Sequence, residues 1–569
     1  MLLKSLSIKN FRGIEDLTVP FDEICVLIGE NNAGKSSVLD AIRFCMTRSF
    51  SRRSAIFDEY DYHLADDTGE PSKAKPIEIT MTFSEAKEDE WPPQVSQMLN
   101  EAEQVGKDSL RSITLRIKSA FDASTGDFAS DFDFLDLAGN ELPKAKSPRL
   151  LANLQQLIPT FYLASLRDAA QEFKPRSQFW GPFVRSLDLD DESRAEIERI
   201  LSGLNEKILS KHVAFESVIE RLKKTAELLP LGEKDPVSIE AVPSKVFDIL
   251  SRTQVFLASK TGAHIPIVRH GNGTQSLAVM CLFDAFLEAR LTDRYDKHSV
   301  PLLALEEPEA HLHPSAVRAT GQMLGALPGQ KIISTHSGEL LSGVPLNSIR
   351  RLRRKEGRIT LHRIEPGSLT PDEIRKLDYQ VRATRGSLLF SRCWLLVEGE
   401  TEAVLLPECA RLMGRDLYAE GVSCIEYSRV GIEKFIKLAD QLGIEWFAIA
   451  DDDREGQKYI ASAKGQLGQR REAEHILALP CKDIEHYLCN EGFGEIYETT
   501  VSDQKKGAIT AKKGTAEYWQ QVLAAQSNNM KPKNAIAAAE LMSVKGEKSI
   551  PKLLKGVVDS ACKLARGAG

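Results

Sequence analysis

Two carboxylate clusters in the last third of the chain have the residue types and the spacing to do chemistry. Leu395 to Glu402 reads Leu-Leu-Val-Glu-Gly-Glu-Thr-Glu, and Ala448 to Gly456 reads Ala-Ile-Ala-Asp-Asp-Asp-Arg-Glu-Gly. Each follows an apolar run that fits a buried strand. That sets Glu398, Asp451 and Asp453 at strand C-terminal ends, where open α/β sheets build their sites. Asp452 faces the other way if the strand continues, because side chains alternate. Glu402 falls one helical turn after Glu398 and can share its site. A third cluster, Lys482-Asp-Ile-Glu485, follows another apolar run. Converging carboxylates hold hard cations through oxygen, and one or two Mg²⁺ or Mn²⁺ ions so held support phosphoryl-transfer chemistry. Singly, each cluster has a plainer explanation, since Asp and Glu favour the first turns of helices. Three clusters, each behind an apolar run, favour the metal reading, with Glu398, Glu402, Asp451, Asp453 and Glu485 as ligands.

The front of the chain carries a different chemistry. Gly29-Glu-Asn-Asn-Ala-Gly34-Lys35-Ser36 matches the phosphate-binding pattern G-x-x-x-x-G-K-[ST] without a gap, between an apolar strand and an amphipathic helix. The residues Asn31, Asn32, Ala33, Gly34, Lys35, Ser36 and Ser37 would close on the phosphates of ATP, with Lys35 on the β and γ phosphates and Ser36 on Mg²⁺. Leu302-Leu-Ala-Leu-Glu306-Glu307 is an apolar strand ending in two acids; Glu306 would hold the Mg²⁺ shell and Glu307 would orient an attacking water. Gly271-Asn-Gly273-Thr-Gln275-Ser276 is a glycine-and-hydroxyl loop entering an apolar helix, again suited to an anion. His336, after the strand Ile332-Ile-Ser-Thr, could sense the γ-phosphate.

The elements that must position these residues follow from the hydrophobic pattern. Leu2–Lys9 and Ile24–Ile28 read as strands, and Ile77–Phe83 and Ile113–Ile117 as strands of an antiparallel appendage. From Asp168 to about Pro230 helical patterns dominate, as in Arg194–Leu204 and the run from Val218. Strand signals return at Val255–Leu257, Leu302–Leu305 and Lys331–Ser334. Leu369–Ser391 is polar and reads as a linker. After it strands and helices alternate, which predicts a second α/β domain with a largely parallel sheet. Gln504–Lys533 is lysine-rich and weakly patterned, and Ile550–Ala565 is an amphipathic helix. At 569 residues several domains are expected. The net charge of −7 gives no global signal for nucleic acid, so such binding must be local. Nine cysteines without C-x-x-C spacing argue against a disulfide framework or a structural zinc site and for a reducing cytoplasm. No apolar stretch is long enough for a membrane span, and the N-terminus lacks the apolar core of a signal peptide.

Taken together, the front half resembles the ABC-type ATPase head of RecF and SMC proteins. Ile8-Lys-Asn-Phe11-Arg12-Gly is similar to their first-strand motif, which implies Arg12 near the nucleotide. Gly273, Gln275 and Ser276 match the signature loop, Glu306–Glu307 the Walker B pair, and His336 the switch histidine. Glu306 stands where an Asp is usual. In that family the signature loop completes the opposite subunit's ATP site, so the resemblance implies a dimer. The back half resembles a TOPRIM domain, with Glu398, Asp451 and Asp453 on its motif positions and Glu485 as a further acid. The succession of the two is that of the OLD (overcoming lysogenization defect) family nucleases, whose relatives include Gabija and retron-associated nucleases. The resemblance implies an α/β chain of five parts: 1–167, ATPase with an antiparallel appendage; 168–240, helical dimerisation insertion; 241–375, ATPase again; 376–391, linker; and 392–569, TOPRIM with C-terminal helices. It also implies a catalytic lysine near the C-terminus, Lys545 or Lys548, with Lys545 preferred. Val430-Gly-Ile-Glu stands where the family often has paired glycines.

The expectation is therefore an ATP-binding, Mg²⁺- or Mn²⁺-dependent DNA endonuclease. It would act as a homodimer or larger homo-oligomer in antiphage defence, ATP gating the dimer, with a helicase-like or retron partner where one is encoded alongside. The alternative is a RecF-like DNA-binding sensor whose TOPRIM domain only docks. Primase and topoisomerase readings lack the zinc-binding or tyrosine-gate elements they need.

Overall fold

The computed structural model describes the chain apart from residues 48–55, 65–68, 165–171, 175–176, 178, 186–189, 212–217, 219–239, 247–254, 259–261, 263, 385, 527–529 and 569. It divides into two compact units: residues 1–163, 300–309 and 314–569 form one, and 164–299 with 310–313 the other.

The larger unit holds three sheets. The first is antiparallel and builds on β1 (Leu2–Phe11), whose alternation buries Leu3, Leu6, Ile8 and Phe11. Its neighbours are β2 (Ile14–Pro20) on one side and β4 (Ile77–Ser84) on the other. Beyond β4 lie β6 (Arg111–Asp122), then β5 (Gln104–Val105) and β7 (Asp127–Leu135), both paired to β6. The second sheet runs β14-β13-β3-β12-β11-β8, from β3 (Ile24–Ile28), β8 (Thr160–Leu163), β11 (Leu302–Glu306), β12 (Gln330–Ser334), β13 (Ile349–Lys355) and β14 (Arg358–His362). All its pairs are parallel except the edge hairpin β13–β14. Its central strands are covered on both faces, which is why they read as unbroken apolar runs.

The third sheet, order β16-β15-β17-β18, is wholly parallel: β15 (Cys393–Val397), β16 (Val422–Glu426), β17 (Glu445–Ala450) and β18 (Ile476–Ala478). The chain leaves β15 for β16 on one side and returns to β17 on the other. The crevice between the C-terminal ends of β15 and β17 is thus a topological switch point, where doubly wound sheets bind ligands. The helix Glu400–Leu412 follows β15, and the helices Lys531–Lys545 and Lys552–Ala568 complete the apolar core with Leu395, Leu405, Met542 and Val558.

Two boundaries differ from the sequence reading. The stretch 376–391, expected as linker, carries most of a helix, Pro371–Ala383, which buries Leu377 and Val381, and a short turn that buries Leu388 and Leu389. A capping box starts that helix, Thr370 accepting from Glu373 N while Glu373 returns the bond. Arginines then stitch β13 to the third sheet. Arg351 is buried and donates to the carbonyls of Leu442 (2.9 Å), Gly443 (2.9 Å) and Ser391 (2.8 Å), and Arg353 donates to Gly443 (3.1 Å).

The smaller unit extends past the expected insertion at 168–240 as far as Ser299 and includes the helix Asn272–Ala289. Its helix Asp191–Leu209 is capped by Asp190, and Asn205 bonds the Val242 backbone both ways, at 2.6 and 2.8 Å. Phe179 packs on Phe283 and Phe286. The strand expected at Val255–Leu257 forms an antiparallel hairpin, β9 (Phe256–Ala258) with β10 (His264–Pro266). The expected helix from Val218 lies, beyond that residue, outside the described residues.

Candidate functional site

The phosphate loop sits between β3 and the helix Lys35–Thr47. Its turn needs glycine twice: Gly29 has φ +150° and a Cβ there would lie 2.3 Å from the Leu352 carbonyl, while Gly34 has φ +92°. Lys35 is buried and folds back on its own loop, donating to the carbonyls of Gly29 (2.9 Å) and Glu30 (3.0 Å). Burial lowers its pKa, against the pull of Glu307, Glu30 and Glu306. Ser36 Oγ donates to Glu306 Oε1 at 2.5 Å, and Tyr162 donates to Glu306 Oε2 at 2.6 Å. The serine and the Walker B acid expected to share a cation are thus already in contact. Glu307 takes a left-handed backbone, φ +42°, and its carboxylate lies 3.6 Å from His336 Nε2. Burial and Lys35 lower the His336 pKa, so the imidazole is neutral at pH 7. Glu309, absent from the sequence reading, is held beneath by Thr335 Oγ1 and His336 N, and burial raises its pKa.

Of the residues expected at the nucleotide, Arg12 and Gln275 bond elsewhere in the fold. Arg12 is tied to Asp40 (2.6 Å) and Asp61 (2.8 Å), which fastens the first strand to the phosphate-loop helix. Gly273, Gln275 and Ser276 lie in the first turn of a helix rather than on a loop. Gln275 donates to the His270 carbonyl, Ser276 is buried, and a Cβ on Gly273 would lie 2.7 Å from the His311 carbonyl. Asn31, Asn32 and Ser36 are exposed at the loop's mouth, with Ala33 buried and Ser37 half-buried.

The carboxylates gather at the switch point of the third sheet. Glu398 leaves β15 and accepts from Asp451 N at 3.2 Å. Glu402 is buried in the first turn of the following helix. Asp451 follows β17, and its Oδ1 is buried without a hydrogen-bond partner among the described residues. Burial, then repulsion from Glu402 and Glu398, pushes Asp451 up to about 9. Burial, then Glu485 and Glu398, pushes Glu402 up to about 8. Burial also raises Glu398. Tyr427, buried beside all three, donates to the Ile449 carbonyl at 3.0 Å. An orphaned carboxylate oxygen among mutually repelling acids, one buried and two half-buried, is the donor set a hard cation satisfies. Yet among the described residues no three His, Cys, Asp or Glu side chains form a ready-made metal cage.

Two expected ligands have other duties. Asp453 is the N-cap of the helix Arg454–Gly465, accepting from Glu455 N and Gly456 N, both at 2.8 Å. Its plainer explanation is the one realised, because a carboxylate one residue before a helix finds orphan amides at once. Glu485 accepts from Thr401 Oγ1 at 2.9 Å and faces Lys531 Nζ at 3.4 Å. Asp452 is exposed, as the alternation implied.

The lysine at the centre is Lys531, not Lys545. Burial would lower the Lys531 pKa, but Glu485, Asp483 and Asp451 raise it. Lys545 stands 14 residues further on in the same helix, about 21 Å along its axis. Its ammonium lies over the Phe493 ring, 5.5 Å from the centroid. Lys548 is in the short turn that follows. Pro532, a helix-entry residue, was the signal that set Lys531 at the mouth of that helix.

Both centres touch one strand. Arg392, just before β15, forms an ion pair with Glu30 of the phosphate loop at 2.5 Å, and Glu398 follows the strand's other end.

Residues 1–388 match the family described as "Protein of unknown function (DUF2813)", and residues 389–453 match "Overcoming lysogenization defect protein-like, TOPRIM domain". The chain is 29% identical to "Uncharacterized protein YbjD" of Escherichia coli (strain K12), over 100% of both chains. It is 25% identical to the OLD nuclease of Thermus scotoductus, over 79% of this chain and 82% of that one. It is 23% identical to the Old nuclease of Escherichia phage P2, over 79% and 77%. The chain belongs to the DUF2813 family, and its residues 389–453 match an OLD-like TOPRIM domain.

Proposed function

We propose that the chain is an ATP-binding nuclease that hydrolyses DNA phosphodiesters at the crevice between β15 and β17, dependent on Mg²⁺ or Mn²⁺. One observation carries the reading: buried Glu402 and half-buried Glu398 and Asp451 converge at the sheet's switch point, Asp451 Oδ1 is buried and unsatisfied, and a cationic lysine stands at the rim. Glu398, Glu402 and Asp451 would hold the cation, which would supply charge neutralisation for an anionic phosphate. Lys531, kept protonated by its acidic neighbours, would face a non-bridging phosphate oxygen and favour the charge that builds there. Thr401 would keep Glu485 turned toward that lysine. The related OLD nucleases support the substrate class.

At the phosphate loop, Lys35 would exchange two backbone carbonyls for the phosphates of ATP. Ser36 and Glu306 would hold its Mg²⁺, and neutral His336 would rest against the γ-phosphate. The Glu30–Arg392 pair supports ATP acting on the cleavage centre rather than on strand movement. The exposed Ile200 and Leu204, one turn apart on the helix Asp191–Leu209, support a dimer face. Among the described residues no helix is long and apolar enough to cross a membrane. A role in phage defence, with a co-encoded partner, belongs to the same reading and is tested by phage plating with the Asp451→Asn variant.

The direct test is plasmid cleavage in Mn²⁺ or Mg²⁺. Wild type cuts and Asp451→Asn does not; equal cutting by both refutes the assignment. One observation favours the RecF-like reading instead, namely that the acids form no ready-made cage and Asp453 is spent on a cap. That reading expects ATP-dependent DNA binding with no cleavage in any divalent metal.

A further inference from the structure

A cavity of ≈ 530 Å³ opens where the phosphate loop meets the third sheet, within the roughly 300–1,000 Å³ of small-ligand sites. Gly29, Glu30 and Asn31 of the loop line it, as do Phe390, Arg392 and Tyr418, which lie just ahead of β15 and β16. Lys35, Ser36 and Glu306, the groups that would hold the phosphates and cation of ATP, are not in its wall. It is therefore a neighbour of that cradle and not its interior. An adjoining cavity of ≈ 210 Å³ shares Glu30, Phe390, Arg392 and Tyr418 with it.

The wall is cationic. Arg351, Arg353, Arg354 and Arg392 contribute to it, against one carboxylate, Glu30. Arg354 turns its guanidinium to the Gly13 carbonyl, at 3.0 Å, so the charge at the cavity is that of the other three. Those three share one electrostatic neighbourhood: burial first, then Arg353 and Arg392, pushes Arg351 down to about 10, against the pull of Glu30. Arg392 is the accessible member. Its side chain is 36% exposed, and Nε alone is taken by Glu30. Neither Nη has a protein partner among the described residues, and neither is shut off from solvent. Beside it Tyr418 is 79% exposed, and its ring rests on no other ring among the described residues.

Three guanidinium groups would repel a divalent cation, and an uncharged ring would leave them unanswered. A guanidinium with both Nη nitrogens open can bind a phosphate through parallel N–H bonds. An inorganic anion answers the charge but leaves the aromatic side chains bare. A nucleoside phosphate meets both, with its phosphate on Arg392 and its base on Tyr418. Any base serves, because each presents a π face, so the chemistry selects the class and not the base. We propose that this cavity is a second nucleotide site, separate from the phosphate loop, which takes a free nucleoside phosphate between Arg392 and Tyr418. Its occupant would compete with Glu30 for Arg392, and so would touch both the loop that receives ATP and the strand that leads to Glu398.

Equilibrium dialysis of radiolabelled ATP against the full chain in Mg²⁺ counts the sites. Wild type is expected to hold two equivalents per chain. Lys35→Ala, which disables the phosphate loop, should hold one, and Tyr418→Ala alone should also lower the count from two to one. In the Lys35→Ala background, Tyr418→Ala and Arg392→Ala should each weaken the remaining site about tenfold or more, and inorganic triphosphate should bind it about tenfold more weakly than ATP. Tyr418 is exposed and Arg392 half-exposed, so both variants should melt near the parent temperature. A single wild-type equivalent that Lys35→Ala abolishes overturns the proposal and makes the cavity part of the ATP site. Binding that survives Tyr418→Ala unchanged, or triphosphate as tight as ATP, overturns it too. So does a single-stranded oligonucleotide that displaces ATP from Lys35→Ala at lower concentration than unlabelled ATP does, because the occupant is then a strand. One equivalent that Lys35→Ala retains and Tyr418→Ala loses would support the cavity while removing ATP from the phosphate loop.

Discussion

Cation binding at the carboxylate centre should expel protons, and the structure sets how many. Burial and neighbouring acids push Asp451 up to about 9 and Glu402 up to about 8. At pH 7 both are protonated, so an ion that takes both as carboxylates displaces about two protons. With the two treated as independent, affinity for Mn²⁺ should rise roughly 50-fold from pH 7 to 8 and about tenfold from 8 to 9, then level off. Calorimetric titration of Mn²⁺ in two buffers of different ionisation heat counts the protons directly. Asp451→Asn should bring the count at pH 7 from near two to near one. An affinity flat between pH 6.5 and 9, or no proton release at pH 7, would refute the reasoning. The stability of the chelated protein carries the same sign. Both folded pKa values lie above the unfolded carboxyl range, so the fold favours the protonated forms. That contribution is complete below about pH 4, declines as pH rises, and is gone once pH has passed 8 to 9. The melting temperature in chelator should fall across that window, and saturating Mn²⁺ should reverse the fall at its alkaline end.

Lys531→Ala should lower cleavage by about 10²-fold or more, whereas Lys545→Ala should leave it within a few-fold of wild type; equal losses in a plasmid assay would return the role to Lys545. Gly456→Ala swaps in a better helix former, yet its Cβ would lie 2.0 Å from the Asp451 carbonyl. It should therefore destabilise by about 1–3 kcal/mol in urea unfolding and abolish cleavage, against the gain that helix propensity alone would give. Arg392→Ala removes a half-exposed ion pair, so stability should change by less than about 1 kcal/mol. Its effect should appear in coupling: ATP should still bind, by fluorescent-nucleotide titration, but should no longer alter the cleavage rate.

Much of the fold was legible because its signals are local. The phosphate loop carries its own geometry in Gly29 and Gly34, and the apolar runs before Glu398 and Asp451 announce buried parallel strands. Less legible was how one residue type divides between two uses. Asp453 has the composition of a metal ligand and the position of an N-cap, and its Oδ1 takes two helix amides. The helix over 371–383 was hidden by its polar face, although Thr370-Pro-Asp-Glu373 spells a capping box and Leu377 and Val381 recur at helical spacing. Lys531 could not be chosen over Lys545 from sequence, because which end of that helix meets the acids depends on packing between distant segments.

The seam between the first 388 residues and the TOPRIM sheet includes guanidinium groups resting on main-chain carbonyls, Arg351 and Arg353 on Leu442, Gly443 and Ser391. Where these guanidinium groups part from their carbonyls, water takes over both sides. Such polar bonds can re-form after gene fission, provided the stretch that buries Leu377, Val381, Leu388 and Leu389 stays with one fragment. Co-expressed fragments divided ahead of Arg392 should then reassociate through charge, more weakly as salt is raised.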